Sequence, residues 1–253
     1  MTSAVSLRGL RKSFGNLETI AGIDLEVDEG SFVSVIGPSG CGKSTLLRVV
    51  AGLEPASSGT ASVYGEPAIE ARRRKQVAIV PQHPGLLPWR TVRANARLLL
   101  DVNATANGPT TSNPIELLER VGLGSFLDVH PHELSGGMQQ RVALVRALAL
   151  GAPLLAMDEP LAALDEITRS EMRRLLNHLV EGRGVTTIFI THSISEAVAL
   201  SDRVLVSSPR PARIVADIAI DLPRPRADDV DDDPRFFELC RVVRHALLEG
   251  AHR

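Results

Sequence analysis

The sequence has 253 residues, with 28 basic and 30 acidic side chains (formal net charge −2), and is 44% hydrophobic but only 3% aromatic. That suffices for one large domain, or a domain carrying an inserted lobe, around an aliphatic core, and it gives no sign of the clustered basic field of a nucleic-acid binder. Two cysteines, Cys41 and Cys240, make neither a disulfide framework nor a metal spacing, and no apolar leader or run of about 18 apolar residues is seen, so a soluble chain in a reducing compartment is expected.

Residues 4–8 and 23–27 alternate apolar and polar, as half-buried strands do. Between them, residues 11–16 read as a polar turn holding Phe14. That ring is either a loop aromatic tucked onto a sheet or a platform for a nucleobase, and the residues alone favour the first. An apolar run, Phe32-Val33-Ser34-Val35-Ile36, leads into Gly37-Pro38-Ser39-Gly40-Cys41-Gly42-Lys43-Ser44-Thr45, and a helix over 46–51 follows. The nonapeptide fits G-x-x-x-x-G-K-[ST] in its required strand–loop–helix setting. Backbone N–H groups and the helix N-terminus make an anion cradle there. Lys43 can reach terminal phosphates and the Ser44 hydroxyl can sit on Mg²⁺.

A short strand is expected over 60–64, and the basic run Arg72-Arg73-Arg74-Lys75 reads as a solvated face. The buried-type strand 77–80 enters a Pro-rich loop, 81–89, with Gln82 and the only tryptophan, Trp89. Helical periodicity then marks helices near 91–100, 113–121 and 136–150, a helical lobe inserted into an α/β core, with a polar turn over 103–113. Strand 154–157 ends in Asp158-Glu159-Pro160. Helix 165–181, with the stripe Leu175, Leu176 and Leu179, is stopped by Gly182-Arg183-Gly184. Strand 186–190 runs into Thr191-His192-Ser193, followed by helix 194–200 and strands over 204–206 and 214–218. Residues 221–234, with three prolines and, from Asp228 on, five aspartates, are expected to be exposed and loosely held before a last helix over 234–249. The strand–helix alternation makes a largely parallel α/β sheet the expected fold.

Two further elements carry chemistry. Asp158, at the end of an apolar strand, can hold a Mg²⁺ shell, and Glu159 can orient or deprotonate a water; the competing use of such a pair is helix capping. In Leu134-Ser135-Gly136-Gly137-Met138-Gln139-Gln140-Arg141, Ser135 caps a helix and the glycines let a phosphate approach its N-terminus. One triphosphate in one monomer needs only one such site; a head-to-tail pair of copies uses both.

With these residues in view, the sequence resembles the nucleotide-binding subunit of an ABC transporter over nearly its whole length. Leu134-Ser135-Gly136-Gly137 matches the highly specific ABC signature, Gln82 the Q-loop glutamine, Asp158 and Glu159 Walker B and the catalytic glutamate, Leu164-Asp165 the D-loop, and His192 the switch histidine. Phe14 stands where the family stacks an aromatic on adenine, which reverses the first reading of that residue. The stretches Leu86-Leu87-Pro88-Trp89-Arg90-Thr91-Val92, Pro131-His132-Glu133-Leu134, Met157-Asp158-Glu159-Pro160 and Asp221-Leu222-Pro223-Arg224-Pro225-Arg226 are similar to the ATPases of nitrate, sulfonate and taurine importers. Three positions depart from the pattern: Ser193 for an aspartate, Ala162 for a glycine or serine, and Pro81 for an aromatic.

The resemblance implies a P-loop NTPase (RecA-like) core over 1–87 and 152–222, with an N-terminal antiparallel β portion, an inserted α-helical subdomain over 88–151, and an acidic segment and helix over 223–253. It implies that ATP is held by Phe14 and by Gly37, Pro38, Ser39, Gly40, Cys41, Gly42, Lys43, Ser44 and Thr45 of one copy, and closed by Ser135, Gly136 and Gly137 of a second copy. Mg²⁺ is addressed by Ser44, Gln82 and Asp158, and the chemistry falls to Glu159, His192, Gln82 and Lys43. The implied partners are a second ATPase subunit, permease subunits and, indirectly, a periplasmic or extracellular solute-binding protein, with no nucleic acid; the implied place is the cytoplasmic face of the inner membrane. Trp89 is either exposed where permease helices dock or a buried anchor of the lobe. Competing readings are import of another solute, such as a thiamine precursor, a soluble ABC-type ATPase outside transport, a non-catalytic nucleotide-gated adaptor, and export.

Overall fold

The computed structural model describes residues 3–181, 184–227 and 229–250. The chain starts with two long strands, β1 (Ser3–Phe14) and β2 (Leu17–Asp28), joined only by Gly15-Asn16. The turn expected over 11–16 is therefore strand for most of its length, and Phe14 is the last residue of β1. Register shifts between Leu7 and Leu10 and between Lys12 and Ser13 break the alternation that would have marked the strand. With β4 (Ser58–Val63) and β5 (Glu66–Pro67) the hairpin forms an antiparallel sheet in the order β2-β1-β4-β5.

The second sheet contains β3 (Phe32–Ile36), β6 (Val77–Val80), β7 (Leu154–Asp158), β8 (Thr186–Ile190), β9 (Arg203–Ser207) and β10 (Ile214–Ala219), in the order β10-β9-β3-β8-β7-β6. All neighbours are parallel except the edge pair β9 and β10. Every residue of β3 and β8 is buried, as expected of parallel strands covered on both faces.

One face carries α1 (Lys43–Val50) and the antiparallel sheet, with α2 (Ala68–Arg73) beside them; Leu46, Leu47 and Val50 pack there with Leu7, Ile23 and Ile188. The other face carries α3 (Val92–Asp101), α4 (Pro114–Arg120), α5 (Gly136–Ala149) and α6 (Glu166–Val180), whose Leu118, Val145, Leu148 and Leu176 pack with Phe32, Met157 and Phe189. Thr91, Asn113, Ser135 and Asp165 cap these four helices through their side-chain oxygens. A third cluster joins α7 (Ile194–Leu200), β9 and α8 (Pro234–Gly250). The expected stop of α6 at Gly182-Arg183 lies outside the described residues.

Two expectations change, and one open choice is decided. Arg72, Arg73 and Arg74 are solvated, but Lys75 is not: its ammonium donates to the carbonyls of Leu99 and Val102 and to Asn107 Oδ1 at 2.7, 2.5 and 2.6 Å. Trp89 is 73% exposed, which rules out the buried-anchor reading. Residues 221–227 and 229–234 are held rather than loose. Leu222, Arg226 and Val230 are buried there, Arg226 Nη2 donates to Ser201 O at 2.5 Å, and Asp231 pairs with the largely buried Arg173 of α6. Proline and aspartate content signals irregular backbone, but spaced side chains within it still find partners. No helix among the described residues is long and apolar enough to cross a membrane.

Candidate nucleotide site

Four neighbouring parallel strands, β3, β8, β7 and β6, end at the same edge of the sheet. Val35 pairs with Ile190, Ile190 with Asp158, and Met157 with Val80. The residues just past those pairs are the phosphate loop after β3, Thr191-His192 after β8, Asp158-Glu159 at β7 and Pro81-Gln82 after β6. Ligand sites of open α/β sheets form beyond such carboxyl ends, and the register brings distant stretches of chain together here.

The phosphate loop runs from Gly37 to Gly42, and α1 starts at Lys43. Gly42 has φ +122°, and a Cβ there would lie 2.9 Å from Thr19 O, so only glycine fits against β2. Lys43 is buried, and its ammonium donates to the carbonyls of Gly37 and Pro38 at 2.8 and 2.9 Å. Cys41 is buried, its Sγ 3.6 Å from the hydroxyl of Ser207. The Ser44 hydroxyl donates to Asp158 Oδ1 at 2.8 Å. Burial raises the Asp158 carboxyl above its usual range; the bond from Ser44 opposes the rise and the charge of Glu159 adds to it. Neither Asp158 nor Glu159 caps a helix.

Glu159 is the convergence point. Its backbone has φ +44°, an uncommon conformation for a residue with a side chain, and its N–H donates to Ile190 O at 2.9 Å. Its Oε2 accepts from Gln82 Nε2 at 3.4 Å and lies 3.5 Å from His192 Nδ1. Ser193 accepts from Glu196 N at 3.3 Å and so caps α7. Serine and aspartate are comparable caps, so this departure leaves the helix start after His192 intact.

Phe14 stands apart at the tip of the hairpin, 47% exposed, with the Lys12 ammonium 4.7 Å from its ring centre. Ser135, Gly136 and Gly137 do not join the cluster. Ser135 accepts from Met138 N at 3.3 Å, Gly136 is open to solvent, and a Cβ on Gly137 would meet Thr168 Cγ2 at 2.7 Å. That close approach fixes the start of α5 against the start of α6, where Asp165 accepts from Thr168 N at 3.1 Å.

Sequence reasoning missed the supports of the loop after β6. The buried Arg146 of α5 donates to Gly85 O and Pro84 O at 2.9 and 2.6 Å. The fully buried Asn95 of α3 accepts from Leu87 N at 2.8 Å and donates to Leu87 O, Arg90 O and Thr91 O. A lone arginine in the otherwise apolar run Val142–Ala149 was the available signal.

A Gly-rich loop closing on a helix, with a lysine, a hydroxyl–carboxylate pair and a carboxylate facing a histidine and a glutamine, defines a P-loop NTPase. The ABC transporter family model matches residues 20–162. The aliphatic sulfonates import ATP-binding protein SsuB of Rhodopseudomonas palustris is 47% identical over 223 residues, 88% of this chain and 76% of that protein. SsuB 1 of Agrobacterium fabrum is 42% identical over 246 residues, 97% of this chain and 84% of that protein. Among solved structures, the ATP-binding cassette MJ0796, a dimer in a post-hydrolysis state bound to ADP and Pi, superposes with a TM-score of 0.74 at 29% identity, over 87% of this chain and 100% of that one. The chain belongs to the ABC transporter family, as an ATP-binding subunit and an ATPase coupled to transport.

Proposed function

We propose that this chain is the ATPase of an importer for a small, sulfonate-like solute. Two copies work against permease subunits on the cytoplasmic face of the membrane, and an external binding protein delivers the solute. The solute class is supported by the names of the relatives, and the pair of copies by the dimeric neighbour. The observation that carries the catalytic reading is the meeting of Gln82, Glu159 and His192, from three strand ends, at one carboxylate.

In this reading the loop 37–45 binds the phosphates, with Lys43 turning from Gly37 O and Pro38 O toward them, and Phe14 stacks on the base. The oxygens of Ser44 and Asp158, 2.8 Å apart, suit Mg²⁺, which takes one or two protein oxygens and leaves its other positions to phosphate and water. Bound there, Mg²⁺ would supply neutralisation of phosphate charge, with Gln82 as a further residue to hold it. Glu159 orients the attacking water and accepts its proton, while His192 contacts the γ-phosphate. Ser135, Gly136 and Gly137 serve the site of the second copy, the α5 N-terminus facing its phosphates. Residues 88–151 act as the helical subdomain, and the loop 81–90, with Trp89 exposed, faces the permease.

Replacing Glu159 with Gln tests the chemistry. The variant is expected to bind ATP, to lose hydrolysis by about a hundredfold or more, and to accumulate as a dimer on size exclusion. It should also fail to restore sulfonate uptake to a strain deleted for this chain, which the wild-type chain restores. Near-wild-type hydrolysis would remove the assigned role, and restoration of uptake of a different solute class alone would remove the substrate reading.

A further inference from the structure

The connection between β9 and β10, residues 208–213, is shared by three parts of the molecule. Ser208 closes it on itself, its N–H donating to Arg213 O at 2.9 Å and its hydroxyl accepting from Arg213 N at 3.1 Å. Ala212 joins the antiparallel sheet, donating to Thr19 O at 2.8 Å and accepting from Ala21 N at 3.1 Å. Arg210, between them and exposed, reaches the phosphate loop. Its Nε and Nη2 both donate to the carbonyl of Gly40, at 3.0 and 2.6 Å.

We infer that Arg210 is a positioning residue for phosphate binding. A phosphate loop works by presenting N–H groups to the anion, so the peptides that shape its turn must be held in place; in the Gly40–Cys41 peptide, Cys41 N donates to Pro38 O at 3.4 Å. The carbonyls of Gly37 and Pro38 accept from Lys43, which in the reading above leaves them for the phosphates. Gly40 O is held by Arg210 alone among the described residues, through charge-assisted bonds, the stronger class. The fork of Nε and Nη2 grips one oxygen from a loop already fastened to β2, so Gly40 is fixed against a rigid support. An ammonium could supply the charge at this place but not the planar two-donor grip. The inference rests on residues 37–45 being the phosphate site, and it adds a residue far along the chain to that site.

The experiment is competition against a fluorescent ATP analogue on the full chain, with ATP and with inorganic tripolyphosphate as competitors. Arg210→Ala is expected to weaken both by about tenfold, equivalent to about 1.4 kcal/mol, because the loop is then no longer held in shape before the anion arrives. The kcat at saturating ATP should stay within about twofold, because the bond is present before and during the reaction. Arg210→Lys should recover only part of the affinity, and both variants should melt with the wild type. Weakening of ATP with tripolyphosphate unaffected would overturn the inference, placing the effect on the hairpin that carries Phe14. Unchanged affinity for both would also overturn it. If Arg210→Ala melts early, Arg210→Lys decides: affinity and melting equal to wild type overturn the two-donor role. Lys43→Ala separates this from the parent reading. If Lys43→Ala binds ATP normally, the phosphate site itself is misplaced, whereas loss of binding there with normal binding in Arg210→Ala removes only Arg210.

Discussion

Asp158 is kept in a place that does not suit a carboxylate. Burial raises its pKa, and Glu159 beside it adds to the rise. A raised value in the folded chain means that the folded state binds this proton more tightly than the unfolded state does. The resulting penalty is full above the raised value and fades as pH falls through it toward the ordinary aspartate range. Asp158→Asn keeps an oxygen for the Ser44 hydroxyl and removes the charge. It is expected to melt about 2–4 °C above wild type at neutral pH, with the gain shrinking as pH drops, while hydrolysis is lost. Melting curves of both proteins across a pH series check this; a gain independent of pH would mean that charge is not its source. Glu159, with φ +44°, is a second local cost at the same edge, and sites of function are where such costs gather.

At the scale of elements, the parallel core was open to sequence reading because its signals are local. The run 32–36 before a phosphate motif, the acids after 154–157 and the histidine after 186–190 each sit at a strand end, and parallel register places them side by side. Residues 4–8 and 23–27 were legible as strands, but bulges hid the rest of the hairpin, and Trp89 gave no sign of its exposure. The loop 81–89 was legible as a loop, but its rigidity depends on Arg146 and Asn95, which reach it from elsewhere in the fold. The junction of α5 and α6 belongs to the same class of long-range fact. A Cβ on Gly137 would sit 2.7 Å from Thr168 Cγ2, closer than packing allows, so Gly137→Ala must push the two helix starts apart at a cost of about 1–3 kcal/mol. Thr168→Ser removes the obstructing methyl group. The double variant is therefore expected to recover most of the stability lost in Gly137→Ala, a coupling that denaturant titration of the cycle would measure. Additive losses would place the strain elsewhere.

Across the whole molecule, the tail completes the core behind the phosphate loop. Val230, Phe236 and Val243 are 8%, 5% and 0% exposed, and they pack with Val198, Val204, Val206 and Ile36, the last residue before Gly37. Arg226 locks the approach to this cluster. It donates to the carbonyls of Leu222, Pro223 and Ser201, and burial, helped by the charge of Arg224, pulls its pKa down to about 10. A fully buried large apolar side chain contributes about 1.5–3 kcal/mol, and three of them approach the total stability of an ordinary domain, about 5–15 kcal/mol. Removing residues 223–250 should therefore leave a chain that is insoluble or melts far below the full one, although every residue assigned to nucleotide chemistry is still present. Arg226→Met is the milder form: it fills similar space but leaves three carbonyls without their donor, at a cost of about 2–4 kcal/mol. Its melting temperature should fall while the KM for ATP at 20 °C stays near wild type, since Arg226 bonds the tail and Ser201 rather than the phosphate loop. A shortened chain that melts with the full one would show that the tail lies on the core without supporting it.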